Sequence, residues 1–231
     1  MIDLGGKDVA EKIRVTDSRE RIIRAAQDLF ARDGIGSVSI RSIVRKSGVN
    51  LAAVHYHFGS KDALVKEVFE QAGDRINSLR REWLENDEGC RKGINAVRHI
   101  LRALYGPIFD GLVQKKGGKL RRDCEVLARL AGFPSATAKA AYRRHTDVVR
   151  SMFDHRFEVA LPELSLTELE LRITFSNTAV WALFDQPDLI GHVSRRDAPG
   201  PASEDIFESF IEYSLAGLVR GTSLQVGLAA R

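Results

Sequence analysis

The chain has 231 residues, 44% hydrophobic and 29% charged, with a formal net charge of +4. That length can bury a sizeable core, and an apolar fraction of this size excludes an intrinsically disordered chain. Cys90 and Cys124 stand far apart in no C-x-x-C spacing, which excludes a disulfide framework or structural zinc site, and no apolar run reaches the roughly 18 residues of a membrane span.

Residues 1–15 are read as an N-terminal arm. Asp3, Lys7, Asp8, Glu11 and Lys12 leave it no apolar core for a signal peptide, so a cytoplasmic setting without a membrane partner is expected. The first helix is expected to open at Asp17, with Glu20 three residues on in capping-box position. Its apolar residues Ile22, Ile23, Ala26, Leu29 and Phe30 share one face, and Gly34 and Gly36 end it. Ser39 can cap a short second helix stopped by Gly48, and Asn50 a third, Leu51–Phe58, broken by Gly59. Ser60 then starts a fourth, Ser60–Leu79, with the stripe Leu64, Val65, Val68, Ala72, Ile76 and Leu79. From Gly34 to Lys61, 28 residues carry Arg41, Arg45, Lys46 and Lys61 and no acid, a basic stretch in a weakly basic chain. Gly73, mid-helix, costs up to about 1 kcal/mol against alanine. It marks either close packing on a neighbouring helix or a point of give.

Further helices are expected near Gly93–Tyr105, Leu120–Leu130, Ser135–Val159, Ser165–Asp185 and Ser203–Arg220. Ser165 with Glu168 forms a capping box, and the Gly/Pro-rich links Gly111–Gly118 and Gln186–Ala202 read as mobile loops. No hairpin dipeptide separates alternating runs. The fold class is all-α, about nine helices.

Ser39–Phe58 fits a helix-turn-helix: a short helix, the turn Ser47-Gly48-Val49-Asn50, and a second short helix. Such a layout must hold its second helix at a steep angle so that this helix alone enters the major groove. Gly48 allows the turn and Val49 plugs the angle. Leu51, Val54 and Phe58 are expected inward, with Ala52, Ala53, Tyr56 and His57 outward. Small residues permit close approach to DNA, while a phenol and an imidazole can bond phosphates or base edges. The same pattern also suits a helical hairpin of any all-α protein.

Thr16–Val68 resembles the DNA-binding domain of TetR-family transcriptional regulators. The likeness runs through Arg21-Ile22-Ile23, Ala25-Ala26, Leu29-Phe30, Gly34, Ser39, Ile43, Gly48-Val49, Tyr56-His57-Phe58, Ser60-Lys61 and Leu64. Val44, Ser47, Asn50 and His55 depart from the usual pattern, which bears on base preference rather than fold. The resemblance implies a DNA-binding domain over 16–76, with its helix-turn-helix at 39–58, and an effector-binding and dimerisation domain over 77–231. It implies a repressor that binds palindromic double-stranded operator DNA as a homodimer and answers to a small molecule. A ligand-dependent activator, or a protein-binding helical module without DNA affinity, is the alternative. By position it assigns DNA contacts to Ser39, Arg41, Asn50, Ala52, Ala53, His55, Tyr56 and His57, and a phosphate anchor to Lys61, aided by the N–H groups at a helix start.

The resemblance also assigns the last two long helices to dimerisation. On the final one, Phe207, Phe210, Ile211, Ser214 and Leu218 lie on an apolar face wide enough for a second subunit. Tyr105, Phe109, Tyr142, His145, Met152 and Trp181, polar-tipped aromatics and flexible groups on the middle helices, are candidate ligand contacts. The cluster Lys115, Lys116, Lys119, Arg121 and Arg122 reads as a solvated loop, or as a greeting for an anionic effector or DNA. Gly34-Ile35-Gly36 lacks the third glycine of a dinucleotide loop, and neither H-E-x-x-H nor G-x-S-x-G occurs, so no enzyme, cofactor or metal is expected.

Overall fold

The computed structural model describes residues 5–85, 93–113, 118–130, 135–185 and 203–222, with nine helices and no strand among them. They are α1 (Gly5–Asp33), α2 (Ile40–Ser47), α3 (Leu51–Phe58), α4 (Lys61–Glu85) and α5 (Ile94–Val113). The chain continues as α6 (Lys119–Leu130), α7 (Ala136–Ala160), α8 (Leu166–Asp185) and α9 (Ser203–Val219). The expected loops fall mostly outside the described residues, as do Lys115, Lys116 and residues 1–4 of the arm.

Asp17 does not open the first helix, because α1 already runs from Gly5. Nothing between Lys7 and Asp17 breaks a helix, and Ala10, Glu11 and Lys12 favour one. Asp17 instead sits inside α1, with its carboxylate 3.8 Å from Arg21 one turn on. The fifth helix likewise runs past Tyr105 to Val113; Pro107 removes one backbone donor within it without ending it.

One core forms where α1, α2, α3 and the start of α4 meet, through Ile22, Phe30, Ile43, Val54 and Leu64, each at most 2% exposed. Beyond it α4 packs against α5, α6 and α7. The α4 stripe is buried from Leu64 to Ile76, whereas Leu79 is only half-buried and Arg80, four residues after Ile76, is buried instead.

Gly73 is a close-packing position. A Cβ there would stand 2.6 Å from Nδ1 of His145 on α7, so the missing side chain lets the imidazole ring lie against α4. Gly73→Ala is expected to cost about 1–3 kcal/mol of stability through this overlap, read as a lowered urea midpoint. An unchanged midpoint would leave the glycine without a packing role.

The face of α9 expected to meet a second subunit is turned into this chain. Ile211, Ser214 and Leu218 are at most 2% exposed and Phe210 is 9% exposed. Phe207 is half-buried, its ring 5.0 Å from that of Phe109 and 6.4 Å from that of Trp83. The physical reason is that α5 and α8 both lie on α9, and its widest apolar side covers them first. What α8 and α9 leave in solvent is a different set: Leu166, Leu171, Phe175 and Tyr213.

Candidate nucleic-acid interface and ligand cavity

Local side-chain chemistry sets the boundaries of α2, α3 and α4. Ser39 and Ser42 exchange bonds at the start of α2: each side-chain oxygen accepts from the other residue's backbone N–H at 3.1 Å. Gly48 ends α2 at φ +67°, and its N–H donates to the Val44 carbonyl at 3.0 Å. Asn50 Oδ1 accepts from the Ala53 N–H at 2.8 Å to start α3. Ser60 Oγ accepts from the Ala63 N–H at 3.1 Å to start α4. In α2 and α3, of eight residues each, these short-range bonds position two-turn helices that could not hold their ends alone.

The turn between α2 and α3 is also clasped from outside. Arg21 of α1 donates through Nη2 to the Ser47 carbonyl at 2.7 Å, and a Cβ on Gly48 would lie 2.8 Å from that nitrogen. Val54 anchors α3 in the core, and the half-buried Phe58 ring lies under the Arg19 guanidinium at 5.6 Å. Arg19 in turn pairs with Glu67 of α4 at 2.7 Å. Leu51, expected inward, is 45% exposed. As the first residue of α3 it stands about 60° from Val54 around the axis and nearly a turn earlier, so it overhangs the core edge.

The residues assigned to DNA separate into two groups. Ser39, Arg41, Asn50, Ala52, His55 and Tyr56 are exposed, with Tyr56 at 79%, and His55 Nδ1 lies 3.1 Å from the Gly59 carbonyl. Ala53 is half-buried against the core, and Lys61 is half-buried at the first position of α4. His57, expected to point outward, is half-buried with Nε2 2.8 Å from Ser18 Oγ on α1. Burial, then the Arg19 charge, holds its pKa below the usual imidazole value, so it stays neutral at neutral pH. His57 therefore ties α3 to α1, and the exposed side of α3 is carried by Ala52, His55 and Tyr56.

Asp28 of α1 links this head to the rest of the chain. One carboxylate oxygen lies 3.2 Å from Lys46 of α2 and the other 2.7 Å from Arg122 of α6. Arg129, also on α6, donates to the Ala31 carbonyl of α1 at 2.9 Å. Arg121 bonds Glu125 and the Leu112 carbonyl, each at 2.8 Å. Arg121 and Arg122 thus serve as internal ties, while Lys119 is exposed.

A cavity of about 460 Å³ lies among α4, α5, α6, α7 and α8. Phe69, Leu104, Leu127, Val149 and Trp181 form its apolar wall; Arg80, Tyr142, His145, Thr146 and Asn177 supply polar groups. Tyr142, His145 and Trp181 of the expected ligand contacts line it. Tyr105 and Phe109 do not; their rings pack on Phe210 at 4.9 and 5.1 Å. Met152 is also absent from the wall, and Arg81 reaches its sulfur at 4.0 Å. These three lie off this cavity because a polar tip or flexible chain on a middle helix does not say which side of that helix is hollow. Arg80 was missed, although its place on the four-residue steps Val68, Ala72, Ile76, Arg80 puts a charge on an otherwise apolar stripe.

Burial, reinforced by the nearby Arg80 charge, lowers the His145 pKa to about 4. The unfolded chain takes up this proton near pH 6.5, and the folded protein only near 4. Folding stability is therefore full above that window and falls as the pH drops from about 6.5 towards 4, by at most about 1.4 kcal/mol per pH unit. His145→Gln is expected to flatten this limb of the stability curve, measured by urea unfolding between these pH values. An unaltered slope would show that other groups carry it.

No group of three or more His, Cys, Asp or Glu among the described residues could hold a metal ion, and no described helix is long and apolar enough to cross a membrane. Residues 22–68 match the model for the tetR family of bacterial regulatory proteins. The chain is 30% identical over 161 residues to an HTH-type transcriptional repressor of Mycobacterium tuberculosis, covering 66% of this chain and 82% of that protein. Its fold is shared with a TetR-family transcriptional regulator from Streptomyces coelicolor, with TM-score 0.64 and 17% identity over 90% of this chain and 97% of that one. A transcriptional regulator from Rhodococcus gives TM-score 0.64 and 18% identity, over 87% of this chain and 96% of that one.

Proposed function

Because the chain belongs to the tetR family of bacterial regulatory proteins and is a DNA-binding transcriptional regulator, we propose that it acts as a dimeric repressor. It leaves a near-palindromic operator when a small molecule fills the cavity. One observation carries this reading: α6 lends Leu127 and Ala128 to the cavity wall and, through Arg122 and Arg129, grips the helix-turn-helix head. A ligand that favours one placement of α6 then shifts the population of DNA-competent heads, and operator DNA must weaken the ligand by the same factor. The name repressor belongs to the Mycobacterium tuberculosis relative and supports the sign chosen here.

At the DNA, Arg41 and Tyr56 reach phosphates or base edges from the exposed side of α2 and α3, with Ala52 allowing close approach. Ser39 and Asn50 present their capped helix starts, and His55 flanks the reading side. Lys61 anchors a phosphate at the start of α4. Two-fold protein symmetry calls for two half-sites about 34–36 Å apart, or a small multiple of a turn. The second copy docks on the α8 and α9 side that keeps Leu171, Phe175 and Tyr213 in solvent.

An electrophoretic shift across genomic fragments at two salt concentrations tests the reading. Binding that weakens steeply with salt supports it, and no binding at low salt leaves the protein-interaction module as the alternative. Lys61→Ala is expected to weaken all sequences about equally and to lower the salt slope by about one. A changed sequence preference with an unchanged slope would remove Lys61 from the phosphate contacts. Release of the operator by ligand marks a repressor of this kind; tightening on the operator marks the activator alternative.

A further inference from the structure

We propose that the cavity's occupant is an organic monocarboxylate with an apolar body, held at its head group by Arg80. This rests on the reading of the cavity as the effector site and adds the ligand's chemical class. Arg80 is 3% exposed and lines the cavity. Its Nε donates to the Leu104 carbonyl at 3.0 Å and its Nη1 to Asn77 Oδ1 at 2.9 Å. Both partners are neutral. Of its five N–H donors, three have no acceptor among the described residues.

The contrast with the other arginines of the fold is chemical. Arg75 of α4 grips Asp123 with both ends of its fork, Arg122 pairs with Asp28, and Arg121 with Glu125. Arg80 has no carboxylate partner among the described residues. A buried cation is costly unless paired. Desolvation lowers the Arg80 pKa to about 10, which still leaves it charged at neutral pH. The two fixed bonds orient the guanidinium, and a planar carboxylate matches the donors that remain.

The rest of the wall suits such a ligand. The Asn177 side-chain amide has no hydrogen-bond partner among the described residues and lines the cavity with Arg80. His145, largely neutral at neutral pH, can give or accept one more bond. Phe69, Leu127, Val149 and Trp181 offer contact for a hydrocarbon or aromatic body, and about 460 Å³ is room for a drug-sized molecule. One guanidinium balances one negative charge, which favours a carboxylate over a phosphate dianion.

The test uses acids and their isosteric amides at pH 7: decanoate with decanamide, 4-phenylbutanoate with 4-phenylbutanamide, and 1-naphthylacetate with 1-naphthylacetamide. Binding to the full chain is followed by calorimetry and by tryptophan fluorescence, to which both Trp83 and the cavity-lining Trp181 contribute, with inorganic phosphate as a headgroup control. At least one acid is expected to bind about 10-fold or more tightly than its amide, with phosphate ineffective. Arg80→Met, which keeps the volume, is expected to erase the preference while the amide still binds. Equal binding of acid and amide to the wild type overturns the anionic assignment and leaves the cavity reading intact. A preference that survives in folded Arg80→Met also overturns it, as does phosphate competing as well as the acids. Binding by no member of any pair overturns the cavity reading and this inference together. The wild-type comparison decides the matter even where Arg80→Met does not fold.

Discussion

Gly48→Val is expected to lower stability by about 2–5 kcal/mol and to reduce DNA affinity about 100-fold or more. Gly48 sits at φ +67°, where a non-glycine residue costs about 1–2 kcal/mol, more for a β-branched one. Its Cβ would also stand 2.8 Å from Arg21 Nη2, displacing the guanidinium from the Ser47 carbonyl. Overpacking of that kind typically costs about 1–3 kcal/mol. The turn then opens, α3 leaves its angle, and the reading residues lose register with the groove. A double-mutant cycle separates the two causes. With Arg21→Ala in place, Gly48→Ala is expected to cost only the backbone part, so the pair is less than additive in urea unfolding. Strict additivity would mean that Arg21 does not crowd the turn.

Phe175→Glu is expected to convert a dimer to a monomer in light scattering at micromolar concentration and to weaken operator binding by about two orders of magnitude. The ring is 60% exposed on α8, and Tyr213 on α9 is 64% exposed. A charge placed on this apolar side, with no partner on the other copy, opposes burial there. Ile211→Ala makes the contrast. Ile211 is fully buried in its own chain, so its truncation is expected to cost about 2–5 kcal/mol of stability while the folded fraction stays dimeric. Loss of the dimer by Ile211→Ala, with Phe175→Glu silent, would move the interface to the other side of α9.

Both ends of α2 and α3 and the start of α4 were legible from the amino acids alone because what makes them is local, whereas α4 runs on past the expected Leu79 to Glu85. Ser39, Asn50 and Ser60 bond a backbone N–H three residues on, and Gly48 and Gly59 close helices through their own torsions. The all-α class and the buried stripe of α4 follow from a 3.6-residue period for the same reason. The start of α1 escaped this logic, since a capping signal at Asp17 is redundant where the preceding residues are themselves helix formers. Other features depend on partners distant along the chain. His57 was turned from the DNA side by Ser18, 39 residues away, and Asp28 was joined to Arg122, 94 residues away. The apolar face of α9 was claimed by α5 and α8 of its own chain. Arg80 became a buried, unbalanced cation only because α5 and α7 close over α4 there. Periodicity specifies which residues share a side of a helix; what that side meets is decided by the packing of helices far apart in sequence, because burial, charge balance and hollow space belong to the assembled neighbours and not to any one segment.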